Sequence, residues 1–237
     1  MARTMQTDRA ERNRRALKPR DFWWTVLVID PIVMAVLPVV VRWRWATPTR
    51  ISLAALLVGA GSIVAFATGQ PVVGALAFQA RFALDCLDGK VARLTGRSSR
   101  WGGFVDLAGD MITIGAVYAA IGAWVGREGV AGAWMVLVLL PAFTAAIWLH
   151  QYERGVIAGL PPDERPTPPS VPPSDRIWTL RRFERHPGSV EVETLLLLVY
   201  PLLLPIDWYP WVAGAATAFY LASGAQVVMD LRKLLRT

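Results

Sequence analysis

Six long runs of apolar residues constrain the fold of this chain more than any other feature of its sequence. The runs are rich in Ala, Leu, Val and Gly, and none alternates apolar with polar residues as a half-buried strand does. A membrane-spanning helix needs about 20 mostly apolar residues, and backbone groups in lipid must form their hydrogen bonds internally. We therefore expect six membrane-spanning helices. The runs are 51–68, 71–84, 104–125, 130–149, 192–204 and 208–229.

The composition supports a membrane protein. Of the 237 residues, 54% are hydrophobic and 18% are charged, whereas soluble domains average about 45–50% apolar and about 25% charged residues. A soluble or disordered chain is therefore not expected. The single cysteine, Cys86, excludes an intramolecular disulfide framework and a multi-cysteine metal site.

The basic residues indicate how the chain is oriented. The net charge is +7, but the Lys and Arg residues flank the apolar runs, which is typical of membrane orientation and not of nucleic-acid binding. If the six runs span, the basic residues of the tail, of the loop after the second run, of 154–185 and of the C-terminus share one side. Only Arg127 lies on the other side. The positive-inside rule places the richer side in the cytoplasm, which predicts a multi-pass protein of the inner (plasma) membrane.

The segment 22–41 is apolar as well, but we expect it to lie on the cytoplasmic membrane surface. Asp30-Pro31 and Pro38 interrupt it, and tryptophans cluster at its ends. A true span is the alternative. The predicted organisation is a basic cytoplasmic tail (1–20), an interfacial amphipathic helix segment (21–47) and an all-α domain of six transmembrane helices (48–237). A Pro-rich cytoplasmic loop is predicted at about 153–190.

Four aspartates form the chemically informative pattern. Asp85 and Asp88 are three residues apart, and Asp106 and Asp110 are four apart, so each pair lies on one helix face. The short connection predicts antiparallel neighbouring helices on which the two pairs can meet. Each buried carboxylate costs about 2.5–3.5 kcal/mol in a membrane, so cations are expected to neutralise the cluster.

All-oxygen ligation favours Mg²⁺, Mn²⁺ or Ca²⁺, and two metal ions held by carboxylates suit displacement at phosphorus. A buried charge network with Arg81 or Arg93 is one alternative. Another is a metal-binding membrane protein or transporter that catalyses no reaction.

The spacing of these residues resembles the signature of the CDP-alcohol phosphotransferases, D-x2-D-G-x2-A-R-x8-G-x3-D-x3-D. The six-run layout and the segment before the first run are also similar to that family. All eight fixed positions match: Asp85, Asp88, Gly89, Ala92, Arg93, Gly102, Asp106 and Asp110.

The resemblance implies a homodimeric enzyme that moves a substituted phosphate from a CDP-alcohol, with CDP-diacylglycerol expected, to an acceptor hydroxyl and releases CMP. It implies that the four aspartates bind two divalent cations, Mg²⁺ or Mn²⁺, and that Asp110 is also the general base.

The resemblance also implies nucleotide contacts, and these fall on Gly89, Ala92, Arg93, Ser99 and Gly102. Thr49 and Ser52 replace the Asn and Thr of a Pro-Asn-x-x-Thr element that opens the first span in the family. The acceptor alcohol is left open. A phosphorylated acceptor would need cations, for which Arg97, Arg100 and Arg154 are the candidates, although the positive-inside rule explains each of them equally well.

Three polar residues near these features are assigned no role in the reaction. Cys86 is expected to be a small packing residue and His150 an interfacial histidine. Lys90 occupies a variable position of the motif and is expected to face lipid headgroups.

Overall fold

The chain folds into helices throughout the part that the structure describes. The computed structural model describes residues 15–18, 20–43, 45–98, 100–159 and 188–235, and of residue 100 only the backbone. These ranges form seven helices and no β-strand. The helices are α1 (Thr25–Arg42), α2 (Pro48–Ala67), α3 (Pro71–Thr95), α4 (Arg100–Arg127), α5 (Trp134–Gly159), α6 (189–203) and α7 (Tyr209–Leu234).

Each of the six apolar runs lies in one of the helices α2 to α7, so the prediction of an all-α membrane fold is confirmed. By length and composition, five of the described helices could cross a membrane, namely α1, α2, α4, α5 and α7. Helix α6 is short, and the second half of α3 carries the charged residues of the motif. The count of six spanning helices therefore stays a prediction.

The ends of α2 and α3 show why the motif lies on continuous helices. The Thr47 side chain accepts a hydrogen bond from the Arg50 backbone N–H and caps α2, whose first residue is Pro48. Helix α3 ends at Gly96, which has a φ of 65°. A glycine in this left-handed conformation is a common helix stop. The chain then turns directly into α4, so both aspartate pairs lie near the same turn.

The expectation that prolines interrupt the segment 22–41 was wrong. Helix α1 is continuous through Pro31 and Pro38. A π-helical turn, Thr25–Ile29, comes directly before the α-helical part. It widens the helix at Leu27, the residue whose carbonyl would otherwise clash with the ring of Pro31. The same arrangement recurs in α6, where the π-helical turn Leu195–Val199 precedes Pro201.

Described helices extend into both ends of the range 153–190 that was predicted to be a Pro-rich loop. Helix α5 continues through Glu153 to Gly159, and α6 already begins at Ser189. Residues 160–187 of that loop lie outside the described residues. The Arg-rich part of the N-terminal tail, 1–14, lies outside them as well.

The packing of the helices leaves a space beside the aspartates. Helix α2 packs closely against both α3 and α4, and α5 packs along α7. The main apolar core joins α3, α4, α5 and α7 around Phe78, Tyr118, Phe143 and Tyr220. Among the described elements, α3 and α4 are not closely packed on each other. The predicted neighbours therefore meet only through side chains, across an open space.

Candidate active site

Three of the four aspartates converge. Oxygen atoms of Asp85, Asp88 and Asp106 all lie within 4.8 Å of one another. Two of these residues lie on the second half of α3 and one near the start of α4, as the sequence predicted. Carboxylates this close repel one another strongly in a low-dielectric setting. Their arrangement therefore favours a bound cation.

Asp110 has a different partner. Its Oδ1 accepts a hydrogen bond and forms an ion pair with Nη2 of Arg81, a residue of α3 whose side chain is 4% exposed. The alternative of a buried charge network thus describes Asp110, whereas among the described residues no arginine forms an ion pair with the other three aspartates. The guanidinium stabilises the ionised carboxylate, which is the form that can accept a proton.

Ser52 supports the acidic cluster from α2. Its hydroxyl lies 2.5 Å from Oδ2 of Asp88 and 3.1 Å from the carbonyl oxygen of Pro48, so the carboxylate is the closer acceptor. The sequence predicted a nucleotide contact for Ser52. In this structure the residue orients one of the aspartates, which is the usual role of a group just behind a metal ligand.

The aspartates open into a large cavity of about 830 Å³. Its walls come from the N-terminal segment and from α3, α4, α5, α6 and α7. Asp85, Asp106 and Asp110 line it, and so do polar residues of α5 and α7. These residues are His150, Gln151, Glu153, Arg154, Ser223, Gln226 and Asp230.

Two of the predicted nucleotide-binding residues line this cavity. Gly89 and Arg93 lie one helical turn apart on α3, and a Cβ added at Gly89 would lie 3.3 Å from Nη1 of Arg93. Glycine therefore leaves room for the guanidinium. The Arg93 Nε donates a hydrogen bond to the carbonyl oxygen of Ala16 at 2.8 Å.

The other predicted contacts are placed less directly. Thr49 is exposed in the first turn of α2, and Gly102 is exposed near the start of α4. Ala92 lies on α3, where its carbonyl oxygen accepts a hydrogen bond from the Arg97 backbone at 2.9 Å. None of these three residues lines the cavity in the described part of the chain. Ser99 lies outside the described residues.

The three arginines predicted to bind a phosphorylated acceptor differ in their position relative to the cavity. Arg154 lines the cavity on α5, whereas Arg97 is exposed after the end of α3 and does not line it. Arg100 begins α4, and the structure describes only its backbone.

Sequence reasoning named Arg81 as an alternative partner of the aspartates without assigning it to one of them, and it expected His150 to be an interfacial histidine. Arg81 interrupts an apolar run four residues before Asp85, and a charged residue at such a position needs a partner. His150 lines the cavity, with Nδ1 2.9 Å from the Ala146 carbonyl and Nε2 3.4 Å from the Ser223 hydroxyl. The first contact places a proton on Nδ1, because a carbonyl oxygen can only accept.

The residues of the acidic cluster fit a hard divalent cation. They offer only carboxylate oxygens, which are the ligands that Mg²⁺ and Mn²⁺ prefer. The described residues show no histidine or cysteine among these ligands. Asp110, four residues after Asp106, would need to leave Arg81 or share it before it could contribute to a second ion.

Comparisons with known proteins agree with this site. A model of the CDP-alcohol phosphatidyltransferase family matches residues 45–159, which include all four aspartates and α2 to α5. A phosphatidylinositol phosphate synthase of Streptomyces avermitilis is 28% identical over 102 residues. That alignment covers 43% of this chain and 42% of the relative, so the match spans less than half of either protein.

A solved structure shares the fold. It is the crystal structure of the Mycobacterium tuberculosis phosphatidylinositol phosphate synthase with CDP-DAG bound, and it superposes with a TM-score of 0.58 at 18% identity. The superposition covers 85% of this chain and 92% of that one. The likeness therefore extends over nearly the whole helical domain.

Proposed function

Because this chain belongs to the CDP-alcohol phosphatidyltransferase family, a family of enzymes, we propose that it transfers a substituted phosphate from a CDP-alcohol to an acceptor hydroxyl. The acceptor oxygen forms a bond to the β-phosphorus, the bond from that phosphorus to the bridging oxygen breaks, and CMP leaves. The observation that carries the proposal is the convergence of Asp85, Asp88 and Asp106 beside a cavity that also contains Asp110.

Each aspartate has a role in this proposal. Asp85, Asp88 and Asp106 would hold one divalent cation, Mg²⁺ or Mn²⁺, and Asp110 would join Asp106 at a second. The bound cations would neutralise the diphosphate and the charge that develops on it. Asp110 takes the proton of the acceptor hydroxyl, and Arg81 keeps its carboxylate ionised until then.

The donor side of the cavity is the Gly89–Arg93 turn. Arg93 offers a planar guanidinium that suits phosphate oxygens, and Gly89 leaves space beside it. CDP-diacylglycerol is the proposed donor, since the M. tuberculosis relative was solved with CDP-DAG bound. The part of the cavity that is lined by His150, Ser223 and Arg154 is the proposed acceptor side.

The identity of the acceptor alcohol can be determined by testing a panel of candidate acceptors. Both relatives are named for making phosphatidylinositol phosphate, so inositol phosphate is the first acceptor to offer. Inositol, glycerol phosphate and serine complete the panel. The described wall carries Glu153 and Asp230 beside Arg154, so a neutral polyol belongs in the panel as much as a phosphorylated one.

The test is CMP release by the purified protein in detergent with Mg²⁺ or Mn²⁺, CDP-diacylglycerol and each acceptor. We expect acceptor-dependent CMP with one member of the panel and none with EDTA. Asp110→Asn should bind metal and CDP but lose turnover by about 100-fold or more. Asp207→Asn is the matched control, because Asp207 is exposed between α6 and α7 and does not line the cavity. Normal turnover by Asp110→Asn would exclude it as the base.

A metal-binding protein or transporter gives the opposite result. Such a protein would carry Mn²⁺ into proteoliposomes without any CDP-alcohol and would release no CMP. We further propose a homodimer in the inner membrane with the cavity open to the cytoplasm. Crosslinking in native membranes tests the dimer.

A further inference from the structure

One buried ion pair lies outside the acidic cluster. Nζ of Lys90 is 2.8 Å from Oδ1 of Asp30, and the two side chains are 3% and 5% exposed. The same Nζ lies 3.4 Å from the carbonyl oxygen of Cys86. The variable position of Lys90 in the motif predicted that it faces lipid headgroups. That prediction was wrong, because the side chain is buried. It joins α3 to α1.

The position of this pair in the sequence is informative. Lys90 lies directly after Gly89 and three residues before Arg93, in the turn that forms the donor side of the cavity. A buried ion pair seldom adds stability over well-packed apolar residues, because both charges lose their hydration. Breaking one by removing a single partner is costly, because the other charge stays buried. Such a pair fixes one arrangement of two elements more than it strengthens either of them.

Further contacts connect α3 to α1 and to the segment before α1. Arg93 Nε donates to the carbonyl oxygen of Ala16, a residue that is fully buried. Trp24 Nε1 donates to Oε1 of Gln79 at 3.1 Å. An apolar cluster completes the contact between α1 and α3, with Ile29, Val33, Leu37, Leu87 and Val91 as buried members.

The N-terminal segment, which comprises the described residues before α1 and the first turn of α1, forms part of the cavity wall. Lys18, Asp21, Phe22 and Thr25 all line the same cavity as Gly89 and Arg93. A displacement of α1 would therefore change the shape of the donor side and would release the Arg93 guanidinium from Ala16.

We propose that the Lys90–Asp30 ion pair positions the N-terminal segment as a wall of the donor pocket and, through that segment, orients Arg93. This inference rests on the proposed function. Lys90 and Asp30 are positioning residues: they set the affinity for the CDP-alcohol and take no part in the transfer itself.

The experiment compares Lys90→Met, Asp30→Leu and the double variant with the wild-type chain. Glu128→Gln is the control, because Glu128 is exposed just after the end of α4 and does not line the cavity. The first readout is hydrogen exchange of residues 15–30, which reports docking of the segment and needs no turnover. The second is kcat and KM for the CDP-alcohol.

Each single variant leaves one buried charge that has lost this ion pair. We expect faster exchange over 15–30 and a KM for the donor raised about tenfold or more, with kcat changed less than about threefold. The double variant removes both charges and keeps apolar volume. It should restore slow exchange and bring KM back to within about threefold of the wild-type value.

Two results would overturn the proposal. If the single variants lower thermal stability but leave exchange over 15–30 and KM unchanged, the pair has only a structural role. If the double variant keeps the high KM of Lys90→Met, Lys90 acts on the ligand directly. If the wild-type chain releases no CMP at all, the proposed function fails, whereas the exchange data still decide whether the pair docks the segment.

Discussion

At the scale of single residues, sequence spacing predicted that all four aspartates can meet. In the structure Asp85, Asp88 and Asp106 converge, whereas Asp110 pairs with Arg81. Helix periodicity places each pair of aspartates on one helix face. The partner of Asp110 depends on how α3 and α4 are placed in three dimensions. Arg81 and Asp110 are 29 residues apart, and no local pattern predicts that contact.

Ser52 gives a residue-scale prediction about metal affinity. Its hydroxyl orients Asp88, and the loss of such a support typically weakens metal binding by about 10- to 100-fold. Ser52→Ala should therefore weaken Mn²⁺ binding by that factor in a calorimetric titration of the purified protein.

Ser62→Ala is the matched control for this measurement. Ser62 is also on α2, and its hydroxyl donates to the carbonyl oxygen of Gly74 at 2.8 Å, away from the cluster. It should lower thermal stability without changing Mn²⁺ affinity. Equal Mn²⁺ affinity in Ser52→Ala and the wild-type chain would show that Asp88 does not ligate the metal.

At the scale of helices, close approach between elements is decided at particular glycines. Several glycines lie within the apolar runs, and the sequence does not tell which of them face a neighbouring helix. In the structure, a Cβ at Gly59 would lie 2.9 Å from a methyl carbon of Thr113 and 3.1 Å from Cδ of Arg81. A Cβ at Gly61 would meet nothing within 4 Å. Ranking them needs the positions of the neighbouring helices, which composition does not contain.

These two glycines make a matched pair of variants on α2. Gly59→Ala should push Arg81 away from Asp110, lower stability by about 1–3 kcal/mol through overpacking and reduce turnover. Gly61→Ala should be neutral or raise stability by up to about 1 kcal/mol, because alanine favours a helix over glycine. Thermal unfolding in detergent and CMP release check both. Equal behaviour of the two variants would contradict the packing of α2 at Arg81.

At the scale of the whole molecule, helix α1 has two alternative placements: it lies on the membrane surface or it crosses the membrane. Its length and composition would allow it to cross. Its surface position stays a prediction. Thr25, at its start, lines the cavity. Its end at Arg42 is followed by five residues before α2, which reach at most about 17 Å.

The beginning of α2 is itself at the acidic cluster, because Ser52 contacts Asp88. The beginning of α1 lies further along α3, because Trp24, just before it, donates a hydrogen bond to Gln79, nine residues before Asp88. A continuous helix of 18 residues separates its ends by about 27 Å whether it crosses the membrane or lies on its surface. The apolar composition alone could not distinguish these two placements, since an interfacial helix also buries an apolar face.

Cysteine accessibility tests this topology. In a Cys86→Ala background, single cysteines at Thr7, Ser98 and Glu128 are labelled with a membrane-impermeant maleimide in oriented vesicles. We expect Ser98→Cys to react only from the cytoplasmic side and Glu128→Cys only from the opposite side, because the positive-inside rule places the loop after α3 in the cytoplasm. Thr7→Cys should react together with Ser98→Cys if α1 lies on the surface.

Reaction of Thr7→Cys from the side of Glu128→Cys would show that α1 crosses, which would separate the Arg-rich tail from the other basic segments. Reaction of Ser98→Cys from outside would place the aspartates away from the cytoplasm, where a CDP-alcohol donor is supplied, and would contradict the proposed orientation.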